Sequence, residues 1–129
     1  AYELRPRDWS SDVCSSALLP PAEKSGRECR ALLEALGPKD FVVCLDERGQ
    51  ELASRQLAEK LRVWTEDPNT RPCFVLGGAF GLNEAVRGRA RFVWSLGRMT
   101  LPHELARVVV LEQVYRAAAI LKGIPYHHD

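Results

Sequence analysis

The chain has 129 residues, enough for one domain with a modest core. Lys and Arg total 18 against 17 for Asp and Glu, and the resulting net charge of +1 excludes a uniformly basic nucleic-acid-binding coat but not a local patch. With 27% charged and 46% hydrophobic residues the composition is that of an ordinary globule, with no apolar run of membrane-spanning length and no signal-peptide pattern. Cys14, Cys29, Cys44 and Cys73 lie far apart with no C-x-x-C, which argues against a zinc knuckle. Buried, reduced thiols are expected at Cys44 and Cys73, and with them a cytoplasmic location.

Residues 7–16, RDWSSDVCSS, carry no helical or strand periodicity. Residues 8–16 are also what a common sequencing-adapter oligonucleotide encodes. Residues 1–16 are therefore expected to be a non-native segment or disordered leader, with the domain proper, N-terminally truncated, over 17–129. Order is expected from near Pro20. Ser25 and Glu28 form a capping-box pattern ahead of Cys29, Leu32, Leu33 and Leu36 at helical spacing, and Gly37-Pro38 closes that helix. Phe41 to Leu45 reads as a strand buried on both faces, with Asp46 to Gly49 turning the chain at its end. Ser54 is placed to cap a helix with Leu57, Ala58, Leu61 and Trp64 on one face, broken by Asp67-Pro68-Asn69. A second buried strand, Cys73 to Leu76, runs into Gly77-Gly78-Ala79-Phe80-Gly81. A short helix from about Asn83 to Ala90, a third strand over Arg91 to Leu96, and a helix of about five turns follow. Pro102 suits the first turn of that helix, and Gly123 and Pro125 stop it. Its apolar residues, among them Leu105, Val108, Val110, Leu111, Tyr115 and Ala117, point in nearly every direction, so it must be covered on more than one side.

Alternating strands and helices predict an open, mainly parallel α/β sheet, whose ligands bind outside the carboxyl ends of the strands. Three loops gather there: 45–49, 77–82 and 96–101. The glycine turn lets a ligand approach the backbone, but it is neither G-x-G-x-x-G nor a phosphate loop. Arg87, Arg89, Arg91 and Arg98 form a basic cluster beside these loops, which points to RNA phosphate. His103 and Arg107 share a face of the long helix, and Glu112 and Arg116 form a second i,i+4 pair. The tail adds Tyr126, His127 and His128. No metal-ligand spacing and no Ser/His/Asp arrangement is present.

Three segments, CLDERGQELAS (Cys44 to Ser54), FVLGGAFGL (Phe74 to Leu82) and SLGRMTLPHELARVVVLEQVYRAAAILKGIPYHHD (Ser95 to Asp129), closely resemble the RlmH family. Those are small SPOUT-class methyltransferases acting on a pseudouridine of bacterial large-subunit ribosomal RNA. The resemblance runs from about Pro20 to Asp129. It implies an α/β fold with a C-terminal trefoil knot, a homodimer, and S-adenosyl-L-methionine as methyl donor. It further implies methylation of N3 of a pseudouridine in the helix 69 stem-loop of 23S rRNA, on the assembled ribosome. Carried over by position, the donor would be held by Leu45, Gly77, Leu96, Gly97, Arg98, Met99, Thr100 and Leu101. Arg116, Tyr126 and His127 would be the catalytic residues, with His127 as base or substrate positioner. RNA contact is expected from Arg87, Arg89, Arg98 and His103. The chain departs from the family in lacking its opening strand, V-G-K-like turn and helix. A catalytically impaired, knotted RNA- or ribosome-binding protein is therefore the alternative; a dinucleotide-binding oxidoreductase is opposed by the missing glycine fingerprint and its acidic partner.

Overall fold

Residues that alternate apolar faces in short runs, separated by amphipathic helices, fold here into a sheet covered on both sides. The computed structural model describes residues 2–3, 21–77 and 83–129. The adapter-like segment, Cys14 and most of the glycine turn (78–82) lie outside the described residues. The elements are β1 (Tyr2–Glu3), α1 (Pro21–Ala35), β2 (Asp40–Glu51), α2 (Ser54–Trp64), β3 (Arg71–Leu76), α3 (Glu84–Arg89), β4 (Phe92–Ser95) and α4 (His103–Lys122). The strand order is β1-β3-β2-β4; β2 runs parallel to both β3 and β4, and β1 pairs antiparallel with β3 through Tyr2↔Leu76 and Glu3↔Val75. This is the expected mainly parallel α/β sheet, with one antiparallel edge pairing ahead of the point where order was expected to begin.

Side chains alternate across each strand, and the two cores follow that parity. Val43, Phe74, Leu76 and Trp94 face α2 and α4, where they meet Leu57, Ala58, Leu61, Trp64, Val110 and Ala117. Val42, Cys44, Cys73 and Val75 face the other way, against Cys29 and Leu32 of α1 and Val86 of α3. Each fully buried valine or leucine stabilises the fold by about 1.5–3 kcal/mol relative to exposure. Trp64 sits at the centre of an aromatic group, 5.5 Å from Phe41, 5.3 Å from Phe92 and 6.3 Å from Phe74 between ring centroids. Cys29, Cys44 and Cys73 are buried thiols, in line with the reading of Cys44 and Cys73.

Four local expectations need correction. Helix α1 begins at Pro21, so Ser25 and Glu28 lie inside it rather than at a capping box. Ser54 is the first helical residue of α2, not its cap: Ala53 holds the N-cap position, and the Gln56 side chain accepts from the Ala53 N–H at 2.8 Å. The Ser54 hydroxyl donates instead to Gln113 Oε1 at 2.7 Å, tying α2 to α4. Asp46 to Gly49 does not end β2, because pairing with β4 resumes at Gln50. The last strand is shorter than Arg91 to Leu96, and Arg91 instead donates its backbone N–H to Val42 O at 2.8 Å. At the end of α4, Gly123 adopts φ +70°, and Ile124 donates to Ala119 O at 2.9 Å, the left-handed stop expected of a glycine there.

Candidate functional site

Trp94 pairs with both Leu45 and Gln50, so residues 46–49 bulge out of the pairing as a loop within β2, beside the carboxyl ends of β3 and β4. Gly49 makes this possible: a Cβ there would stand 2.6 Å from the backbone carbon and oxygen of Val93 and 2.8 Å from Trp94 N. The loop is turned by Asp46, whose Oδ1 accepts from Arg48 N at 2.9 Å. Asp46 Oδ2 accepts from Arg87 Nη1 at 3.3 Å, fastening α3 to the loop, and Arg87 also pairs with Glu84. Beneath lies Cys44, whose thiol points at Val86 O at 3.7 Å. Burial first, and the Asp46 charge second, push that thiol up to about 11, so it stays protonated and unreactive.

The second wall follows β4. Ser95, buried, accepts from Gly97 N at 3.1 Å through its hydroxyl and donates to Gly97 O at 3.2 Å. This tight turn puts Gly97 at φ +126°, a conformation that favours glycine. The chain then crosses Met99, Thr100 and Leu101 to reach the start of α4.

Between these walls opens a cavity of about 960 Å³, at the upper end of the range for small-molecule sites. Of the eight residues expected to hold a cofactor, seven line it: Leu45, Gly77, Leu96, Gly97, Met99, Thr100 and Leu101. Arg98 does not; it is exposed on the rim. The lining also includes Asp46, Glu47, Arg48, Leu76, Trp94 and Ala106, none of which the sequence reading assigned to the cofactor. Among the expected RNA contacts, Arg87 and His103 face the same cavity. Arg89 is turned inward, donating to the carbonyls of Gly37 at 2.9 Å and Asp40 at 3.3 Å, so it serves the α1–β2 connection.

Arg116, Tyr126 and His127 lie elsewhere. The residues after Gly123 fold back along α4, where Arg116 donates through Nε and Nη2 to Glu112 Oε1 at 3.0 and 2.6 Å. Its Nη1 lies 3.2 Å from His127 Nδ1. The Tyr126 hydroxyl donates to the same Glu112 oxygen at 3.1 Å, while its ring lies 4.8 Å from the Arg116 guanidinium and 4.9 Å from the Tyr115 ring. The hydrogen bond from Arg116 holds the Glu112 carboxyl below the usual range, and the hydrogen bond to Glu112 raises the Tyr126 phenol. None of the three residues lines the cavity. From His103 at its rim, Arg116 is 13 residues along α4, about 20 Å at 1.5 Å per residue. The residues expected to hold a cofactor and those expected to be catalytic are thus brought together as two separate groups within one chain.

Among the described residues there is no group of three or more His, Cys, Asp and Glu that could hold a metal ion, and no helix is long and apolar enough to cross a membrane.

A mainly parallel sheet with a loop-walled cavity at its carboxyl edge, beside a long helix with a folded-back tail, defines an α/β protein whose cavity lies at the edge where sheets of this class bind ligands. The chain belongs to the SPOUT methyltransferase family: a family model described as "Predicted SPOUT methyltransferase" matches residues 12–127. Its relatives include proteins named ribosomal RNA large subunit methyltransferase H. That of Maridesulfovibrio salexigens is 54% identical over 110 residues, covering 85% of this chain and 70% of the relative. That of Nitratidesulfovibrio vulgaris strain DP4 is 54% identical over 113 residues, with 88% and 72% covered, and that of Lawsonia intracellularis 48% over 127 residues, with 98% and 77% covered.

Proposed function

We propose that the protein is a cytoplasmic, S-adenosyl-L-methionine-dependent methyltransferase acting on the large-subunit ribosomal RNA, as its relatives' names describe for them. The finer reading is methylation of N3 of a pseudouridine in the helix 69 stem-loop of 23S rRNA, within the assembled subunit, by a knotted homodimer. The observation that carries it is the cavity, bounded by seven of the residues expected to hold the donor, in a chain of this family.

The lining suits that donor. Leu45, Leu76, Trp94 and Leu96 offer apolar walls for an adenine ring, and Gly77 and Gly97 leave backbone groups within a ligand's reach. When bound, the donor supplies an electrophilic methyl group on a sulfonium, and the chain's part is to align the acceptor and manage its proton. Pseudouridine N3 is a weak acid, and Arg116, fixed by Glu112, would stabilise the anion formed there. His127 would hold that guanidinium in place through Nδ1; to act as the base, its nitrogen must first part from Arg116. Arg87, Arg98 and His103 would meet RNA phosphates at the rim.

The physical argument for a dimer is that Arg116 stands about 15 Å along α4 beyond Ala106, the last residue of that helix to line the cavity. Leu105, Val108, Leu111 and Tyr115 form an exposed apolar stripe on α4, on the side away from Val110 and Ala117. Pairing two such stripes would cover them and bring one subunit's tail to its partner's cavity.

Mass spectrometry of 23S rRNA from a deletion strain complemented with this gene tests the reading: restoration of the methylated pseudouridine is expected. Absence of the product, with S-adenosylhomocysteine still binding in calorimetry, would leave only the cofactor site standing.

A further inference from the structure

Two neighbouring residues at the start of α2 reach the tail cluster from opposite ends. Ser54 donates to Gln113 Oε1 at 2.7 Å, and Gln113 Nε2 donates to Glu112 Oε2 at 2.7 Å; Glu112 in turn holds Arg116. Arg55 donates through Nε to Asp129 Oδ1 at 2.8 Å and pairs through Nη2 with Asp129 Oδ2. Asp129 Oδ1 also lies 3.1 Å from His127 Nε2, and His127 Nδ1 meets Arg116. The side chains thus form a ring, Ser54–Gln113–Glu112–Arg116–His127–Asp129–Arg55, closed by the Ser54–Arg55 peptide.

The ring has one consistent proton assignment at the imidazole. A guanidinium only donates, so His127 Nδ1 must accept from Arg116. A carboxylate only accepts, so Nε2 must carry the proton and donate to Asp129. Where Asp129 faces Nε2, Arg55 holds it by a two-point contact that fixes the plane of the carboxylate. Both partners of that contact are well exposed, with side-chain exposures of 59% and 66%, so it contributes little to stability. Its consequence is orientation.

We propose that Arg55 is a positioning residue for methyl transfer: through Asp129 it fixes the Nε2–H tautomer and ring orientation of His127, and thereby the direction in which Arg116 is presented. The proposal rests on the functional reading above for its link to turnover, but the tautomer it asserts can be read without any reaction.

The test uses the full chain, labelled at its histidine nitrogens, with long-range proton–nitrogen spectra recorded at about pH 8, where an ordinary imidazole is neutral. His127→Gln identifies the signals. The native chain should show His127 as the Nε2–H tautomer alone, and Arg55→Ala and Asp129→Asn should show a mixture. In both variants kcat should fall on the order of 10-fold, the low end of the loss found when partners that orient metal-bound histidines are removed. The KM for S-adenosyl-L-methionine should stay within about twofold, since α2 does not line the cavity. Melting temperature should move by no more than about 2 °C. Arg55→Lys keeps the charge without the two-point contact and should lie between. An Arg55→Ala chain that keeps the single tautomer, or one that shifts tautomer with unchanged kcat, overturns the proposal. A native chain without methyl transfer sinks the functional reading instead, and the tautomer alone then decides the role of Arg55.

Discussion

A single missing Cβ sets the shape of the 46–49 loop. At Gly49 the nearest atoms to a substituted methyl would be backbone, which cannot swing aside as a side chain can. Gly49→Ala should therefore push β4 from β2, costing about 1–3 kcal/mol in chemical denaturation and weakening S-adenosylhomocysteine binding in calorimetry. Stability unchanged would mean that the 46–49 loop has another way to pack. Charge acts at the same scale in the tail. The Arg55 hydrogen bond, before any other influence, lowers the Asp129 carboxyl from its ordinary 3.8 to about 2, and the Arg116 hydrogen bond lowers Glu112. A carboxyl whose pKa is depressed by folding stabilises that state above the unfolded pKa and loses the contribution as pH falls through the folded value. The tail should therefore stay docked at pH 5 and come away between about pH 4 and pH 2, seen as a change in Tyr126 ring signals. Undocking at pH 6 would show that the two carboxylates do not hold it. Of this network only the Glu112–Arg116 pair, at i,i+4 spacing, and the grouping of Arg116 with Tyr126 and His127 were legible beforehand. Arg55 and Asp129 are 74 residues apart with no shared periodicity, and only the folded-back chain makes them neighbours.

Elements were far more legible than contacts, and the reason is periodicity. Leu57, Ala58, Leu61 and Trp64 recur at helical spacing, and all four are buried as that spacing requires. The buried runs at Phe41–Leu45 and Cys73–Leu76 likewise fell on β2 and β3. Boundaries failed where a local signal was outcompeted by packing. Ser54 has the chemistry of a cap, but its hydroxyl found Gln113; Asp46 to Gly49 has the chemistry of a turn, but β4 offers further pairing at Gln50 and Glu51. Helix α4 shows what periodicity leaves open. Its residues are apolar all round, and the fold buries Val110 and Ala117 on one side and Ala119 near its end, but leaves Val108 at 60% and Leu111 at 49% exposure. If the second side is covered by a partner subunit, Leu111→Glu should place an unpaired charge in the interface and shift the chain to monomer in sedimentation, while changing the melting temperature of that monomer little. A Leu111→Glu chain that still sediments as a dimer would move the interface to another face.

At the scale of the whole molecule, one chain holds a cavity at one end of α4 and a charged tail at the other. Arg116 stands ten residues, about 15 Å of helix rise, beyond Ala106, the last residue of α4 that lines the cavity. The dimer reading makes a prediction that a self-sufficient subunit cannot share. Arg116→Ala disables the tail. Gly97→Val disables the cavity, because a β-branched side chain is strained at φ +126° although space is open around it. Each variant alone should be inactive. Co-expressed in equal amounts, half of the dimers should be mixed, and each mixed dimer unites one sound cavity with one sound tail. Activity should then return to about one quarter of the native level per chain, from one working site in every mixed pair. Were cavity and tail of the same subunit to work together, every site in the mixture would carry one of the two defects and no activity would return. Restoration would also account for the apolar stripe that the domain leaves exposed on α4, as the surface at which the second half of the active site would arrive.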